Sequence, residues 1–144
     1  MLGHYVLWII LLWIPMMLLH ELGHYYYARH ILKANASLEL WWWKDKIPSL
    51  IVRADKADEY FYLAGGITSG FCLGILGLMA HEPAAYVLFV LTILQVAYGF
   101  YEYFNLPLVA SGKLKKDRYM VEHYAIYFVM LFVGWIGYIG RYLI

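Results

Sequence analysis

Four stretches of this chain, about 2–32, 60–80, 83–104 and 119–144, are too long and too apolar to belong to a small water-soluble fold. Each reaches the roughly 20 residues that a helix needs to cross a hydrocarbon layer about 30 Å thick. Inside such a layer each backbone N–H and C=O has to be satisfied within its own segment, which a helix achieves and an open strand does not. The expectation is therefore an all-α polytopic membrane protein, a single membrane domain over 1–144 with about four transmembrane helices. Composition agrees, at 64% hydrophobic and 15% charged residues. Pro15 should kink or thin the first helix, whereas Pro83 opens the third, where a missing N–H does no harm. The opening Met-Leu-Gly-His-Tyr has no basic region and no small-residue cleavage site after the apolar run, so this segment reads as a retained helix.

The basic residues orient these helices. Arg29, Lys33, Lys44, Lys46, Arg53 and Lys56 fall between helices one and two, and Lys113, Lys115, Lys116 and Arg118 between three and four. Of the 11 Lys and Arg, Arg141 alone falls on the other side. The positive-inside bias then predicts cytoplasmic long loops and termini on the opposite face. A net charge of +1 carries no footprint for nucleic acid, which is not expected as a partner; membrane lipid is. Cys72 stands alone, so neither a disulfide framework nor a cysteine zinc site is available.

The first long loop has a pattern of its own. Residues 37–54 read as two short strands around a polar Lys44-Asp45-Lys46 turn, a small β-hairpin in the first cytoplasmic loop. Trp41, Trp42 and Trp43 are expected at the headgroup boundary, where an amphipathic ring is best accommodated.

Within the first apolar segment stands His20-Glu21-Leu22-Gly23-His24. Ionisable groups in a membrane helix are costly and point to function. Histidines four apart share one helix face, so His20 and His24 can grip one Zn2+ while Glu21 serves as base toward a water. Arg29 lies nine residues beyond His20, about 13 Å along a helix, which puts the motif in the cytoplasmic half of the layer. His30 has the spacing of the third histidine in a longer zinc motif, but Tyr27 occupies the position of the glycine that turns the chain back there. It reads as an interfacial residue. His4 and His81 map to the opposite side, and His123 in the fourth helix either lies beside the site or serves packing. The six histidines are too scattered for a histidine-rich iron site.

Together these motifs resemble the site-2 protease family of intramembrane zinc metalloproteases. The motif on a first core helix is followed by a strand-bearing loop and by Ala64-Gly65-Gly66-Ile67-Thr68-Ser69, similar to the family's Ala-Gly-Pro-x-x-Asn. Asn105-Leu106-Pro107 resembles its Asn-x-x-Pro, and Ser111-Gly112 stands near the place of the family's Asp-Gly. The resemblance implies hydrolysis of a peptide bond in or near a transmembrane segment of a protein substrate, with His20, His24 and a carboxylate on zinc. Asp117, the only downstream aspartate, is the favoured third ligand, and Glu102 is its competitor. Asn105 would hydrogen-bond the substrate or the developing oxyanion. Gly66, Ser69 and Ser111 depart from the family pattern, which leaves a second expectation: a non-catalytic relative acting as scaffold or stabiliser beside other subunits of a membrane complex.

Overall fold

A computed structural model of the chain describes residues 2–42 and 48–142. Helix α1 (Leu2–Tyr26) runs through Pro15 and continues into a π-helical turn, Tyr27–Ile31. Strands β1 (Ala36–Trp42) and β2 (Pro48–Ala54) follow, then α2 (Glu59–Met79), α3 (Ala84–Ala110) and α4 (Lys116–Tyr142). Among the described residues four helices are long and apolar enough to cross a membrane. Their outward faces carry side chains such as Ile14, Leu78 and Phe128, each more than 70% exposed. Unpartnered apolar faces of this extent suit lipid rather than water.

The two strands pair antiparallel, with Ala36 opposite Ala54 and Leu38 opposite Val52, as the alternating pattern of the loop predicts. The turn at 43–47, including Trp43, and the side chains of Trp41 and Trp42 lie outside the described residues, and the expected tryptophan anchor lies there with them. The hairpin rests on a small cluster of Ala28, Ala34 and Phe61, with Val52 and Ala54 packed against it, which ties it to the end of α1 and the start of α2.

α2 and α3 form the tightest pair, and glycine is the reason. A Cβ on Gly66 would fall 2.6 Å from the Gly99 nitrogen and 2.5 Å from the Gln95 carbonyl oxygen, so the two backbones meet where neither residue has a side chain. A second crossing joins α1 to α2, where a Cβ on Gly23 would meet Ala64 O at 2.6 Å. α4 closes the bundle through aromatic contacts, Tyr5 with Tyr138 at 5.2 Å and Trp13 with Tyr127 at 5.4 Å between ring centres.

The third helix runs further than its sequence suggests. It passes Pro107 and ends at Ala110, with Gly112 in the left-handed region at φ 73°. Pro107 forfeits one backbone hydrogen bond near the helix end, a loss the flanking turns absorb. Ser111-Gly112 is thus a helix stop, in which Gly112 takes a backbone conformation that other residues adopt only with strain.

Candidate metal centre

Two crossings and one helix cap bring the site together. Asp58 caps α2 by accepting from the Phe61 N–H at 2.8 Å, and it accepts from the Tyr27 hydroxyl at 3.2 Å. The Phe61 carbonyl, fixed by this turn, accepts from His24 Nδ1 at 2.6 Å. A carbonyl can only accept, so His24 Nδ1 carries the proton and Nε2 presents a lone pair. His20 is set in the same way by α3: its Nδ1 lies 3.0 Å from Gln95 Oε1. Ser69 Oγ reaches the same oxygen at 2.8 Å, and Gln95 Nε2 donates to Tyr127 Oη at 3.2 Å, which orients the amide.

Both Nε2 atoms then face each other and a carboxylate. His20 Nε2 lies 3.0 Å from His24 Nε2 and 3.0 Å from Glu102 Oε2, and His24 Nε2 lies 3.6 Å from that same oxygen. All three side chains are buried, at 6 to 7% exposure. Three acceptors converge with no donor between them, an arrangement that only a cation or an added proton can stabilise. Tetrahedral zinc with bonds of about 2.0–2.1 Å has ligand–ligand edges of about 3.3 Å, and the observed edges bracket that value. The donor set could therefore hold a metal ion with bonds of this length.

Space for an ion comes from Gly65. A Cβ there would lie 2.7 Å from both His20 Nε2 and His24 Cε1, and closer still to His24 Nε2. Any side chain on Gly65 would press against both imidazoles at their Nε2 atoms.

Glu21 offers a ligand atom within 4.8 Å of those of His20 and His24. It is nevertheless held elsewhere: its Oε2 accepts from the Val52 N–H at 3.1 Å. Val52 belongs to the hairpin, and this N–H is on the edge of β2 that β1 does not use. Two carboxylates thus flank the histidines, one facing both Nε2 atoms at 3.0 and 3.6 Å and one held beside them by a strand edge.

His20, Glu21 and His24 are brought together as the sequence predicts, whereas Asp117 is not among the groups the fold assembles. It lies exposed in the first turn of α4, and the carboxylate on the histidines is the buried Glu102 of α3. The reason is the extension of α3 to Ala110: no loop at 105–112 is left to fold back and carry an α4 residue to the metal position. Asn105 donates its side-chain N–H to the Tyr101 carbonyl at 2.8 Å, within its own helix. His30 stacks on Tyr26 at 4.5 Å, exposed and away from the site.

Sequence reading missed Gln95 and underrated Glu102. Their signal was present: Gln95, Gly99 and Glu102 recur at i, i+4 and i+7 as a polar and small stripe on an otherwise apolar helix.

A cavity of about 110 Å³ opens beside the histidines, lined by residues of α1, α3 and α4 that include Trp13, Glu21, Glu102 and His123. Further along the same two helices, α1 and α4, an apolar groove of about 410 Å³ is lined by Ile9, Ile10, Phe128 and Trp135 among others. Comparison of the chain with protein-family models, curated proteins and solved structures finds no match in any of the three.

Proposed function

We propose that this chain is an intramembrane zinc metalloprotease resembling the site-2 proteases, in which His20, His24 and Glu102 hold the metal and Glu21 is the general base. One observation carries the reading. Two imidazoles have their Nδ1 protons committed to Phe61 and Gln95, so both Nε2 lone pairs point at one spot that a carboxylate also faces. Hydrogen-bonded partners of this kind are what fixes a zinc-binding histidine in the right tautomer.

When bound, a zinc ion supplies Lewis acidity toward a carbonyl oxygen and a water. The chain's own residues do the rest. Glu21, free of the metal and anchored by one oxygen to Val52, takes the proton of the attacking water on its carboxylate and returns it to the leaving amine. The unused edge of β2, on which Val52 lies, can receive an unwound substrate as an added strand, which peptide hydrolysis needs because a helical carbonyl is buried in its own hydrogen bonds. The apolar groove between α1 and α4 offers a transmembrane segment a surface on two of the helices that line that cavity. In this reading the hairpin and the 111–115 turn face the cytoplasm.

The test uses the full chain purified in detergent, assayed for metal and for cleavage of a transmembrane peptide. About one zinc per chain is expected, and Glu21→Gln should retain it while cleavage falls at least about 100-fold, the usual scale for a lost general base. An active Glu21→Gln protein rules out the assigned base.

A second reading has an observation of its own. Among the described residues each buried side-chain N or O atom has a hydrogen-bond partner. A single proton shared by His20, His24 and Glu102 would therefore close the network without metal, as in a non-catalytic scaffold subunit of a membrane complex. A wild-type protein that takes up no zinc favours that reading.

A further inference from the structure

Resting on the protease reading of this site, we propose that His123 is a further catalytic residue: its Nε2–H is the donor that stabilises the oxyanion formed from the scissile carbonyl, and Tyr98 and Tyr119 orient it. His123 comes from α4, the helix that contributes none of the metal-binding groups, yet its side chain lines the same cavity as His20, Glu21 and Glu102. Asn105, the residue expected from sequence to serve as donor, turns its amide back to the Tyr101 carbonyl of its own helix and does not line this cavity. An electrophilic donor is nonetheless needed. When water adds, a new C–O bond forms, the carbonyl π pair moves to oxygen, and Glu21 takes the water's proton; collapse returns that pair, breaks the C–N bond and sends the proton to the departing nitrogen. Between these events the former carbonyl oxygen is an anion, and a preorganised N–H aimed at it stabilises it most in a site from which water is excluded.

The tautomer follows from the neighbours. Tyr98 Oη makes a short hydrogen bond with His123 Nδ1, and Tyr119 Oη lies 3.2 Å from Tyr98 Oη. A phenol is a far stronger acid than a neutral imidazole N–H, so Tyr98 donates to Nδ1 and Tyr119 donates to Tyr98. This chain leaves the His123 proton on Nε2. Among the described residues no protein group accepts from that N–H, while the ring is held by Tyr98 at 4.8 Å and Tyr127 at 5.2 Å between centres. A half-buried histidine, locked as an Nε2 donor and lining the cavity of the metal-binding groups, has the chemistry of an oxyanion donor and no evident structural use for that proton. Tyr98 also packs on His20 at 5.5 Å, so one ring positions both sides of the cavity.

The experiment uses the full chain in detergent with zinc added, and reads three quantities: the kcat and KM for a transmembrane peptide, the affinity for a peptide phosphonamidate whose tetrahedral oxyanion mimics the transition state, and the ¹⁵N spectrum of the His123 ring. His123→Ala should lower kcat about 100- to 1,000-fold with KM within threefold and zinc retained, the scale for removal of one oxyanion donor. Its affinity for the phosphonamidate should fall by a similar factor, while affinity for the product peptide stays within threefold. Tyr98→Phe, which removes only the orienting hydrogen bond, should lower kcat about 10-fold and give a mixture of ring tautomers. His123→Asn, which restores an N–H donor, should regain part of the lost kcat. A zinc-loaded His123→Ala protein that cleaves within threefold of wild type overturns the proposal, as does an Nδ1–H tautomer in the wild type. A wild type that holds zinc but cleaves nothing counts against the protease reading instead; equal binding of the phosphonamidate to wild type and His123→Ala would then count against His123 separately. The ¹⁵N spectrum requires neither metal nor turnover, so it judges the donor assignment even if zinc does not bind.

Discussion

Gly65→Ala is the sharpest perturbation of the metal-centre geometry, because it adds one methyl group at the point where the acceptors converge. The new carbon would stand 2.7 Å from His20 Nε2 and from His24 Cε1. The favourable separation for such atoms is about 3.5–4.0 Å, so both rings must move by most of an ångström. Neither is free to do so. His24 would lose its 2.6 Å bond to the Phe61 carbonyl and His20 its 3.0 Å bond to Gln95. A buried polar group left without a partner costs about 1–3 kcal/mol, so two such losses are worth about 2–6 kcal/mol, offset by about 1 kcal/mol from the better helix propensity of alanine. Displacement of both rings should also weaken zinc binding by at least about 100-fold, since loss of the groups that orient ligands already costs 10- to 100-fold. Zinc affinity by chelator competition and thermal unfolding by circular dichroism, both in detergent, measure the two effects. Gly74→Ala on the same helix is the control: its Cβ would have Thr92 Cγ2 as nearest neighbour at 3.6 Å, an ordinary contact, and zinc affinity should not change. A Gly65→Ala protein that binds zinc within threefold of wild type and unfolds at the same temperature refutes the convergent site.

Three other outcomes are expected. Glu102→Gln should lower zinc affinity by at least about 100-fold while Asp117→Ala leaves it within twofold, measured by the same competition; the opposite order would restore Asp117 as ligand. Gln95→Leu, which keeps volume but frees the His20 tautomer, should weaken zinc about 10- to 100-fold with secondary structure intact, and an unchanged affinity would show that Gln95 does not set that ring. Cysteines placed at Lys46 and Lys115 should react with an impermeant thiol reagent from the cytoplasmic face alone and one at Gly3 from the other face alone, because the basic residues divide so unevenly; labelling of position 46 from outside would reverse the orientation.

What could be read in advance follows the range of the interactions. The four apolar helices, the hairpin strands and the His20–His24 pair rest on period and spacing within one segment, and the structure has all of them, with α3 running to Ala110 instead of ending near 104. The carboxylate that faces the two histidines depends instead on how far α3 runs and on which of its faces meets α1. The apolar run ended near 104, yet α3 continues through Pro107, where a proline in the last turn sacrifices one hydrogen bond only, and stops before Gly112. Gly66, a departure from the family pattern in sequence, has a physical role in the fold, because only a residue without a side chain lets α2 reach the Gly99 backbone. That approach brings Ser69 to Gln95, the residue whose amide oxygen meets His20. Such a coupling joins residues 75 apart, so the stripe of Gln95, Gly99 and Glu102 marks a polar face of α3 in the sequence without telling which helix it meets.

The division of labour between Glu21 and Glu102 follows from what anchors each carboxylate, not from the residue type. Both are glutamates within reach of the same histidines, and either could in principle bind a metal. Glu102 projects from a helix whose backbone is locked against α2, and its Oε2 faces both Nε2 atoms at 3.0 and 3.6 Å. Glu21 shares a helix with the histidines but sits next to His20, hence about 100° around the axis from it, and the Val52 N–H draws one of its oxygens toward the hairpin. A strand that paired with β2 would compete for that same N–H, so under the protease reading substrate arrival would release the Glu21 carboxylate through one backbone amide. A base that is restrained until the substrate strand displaces it would remain near the histidines without becoming a fourth protein ligand. That separation keeps a coordination position open, which is what distinguishes a catalytic zinc site from a structural one.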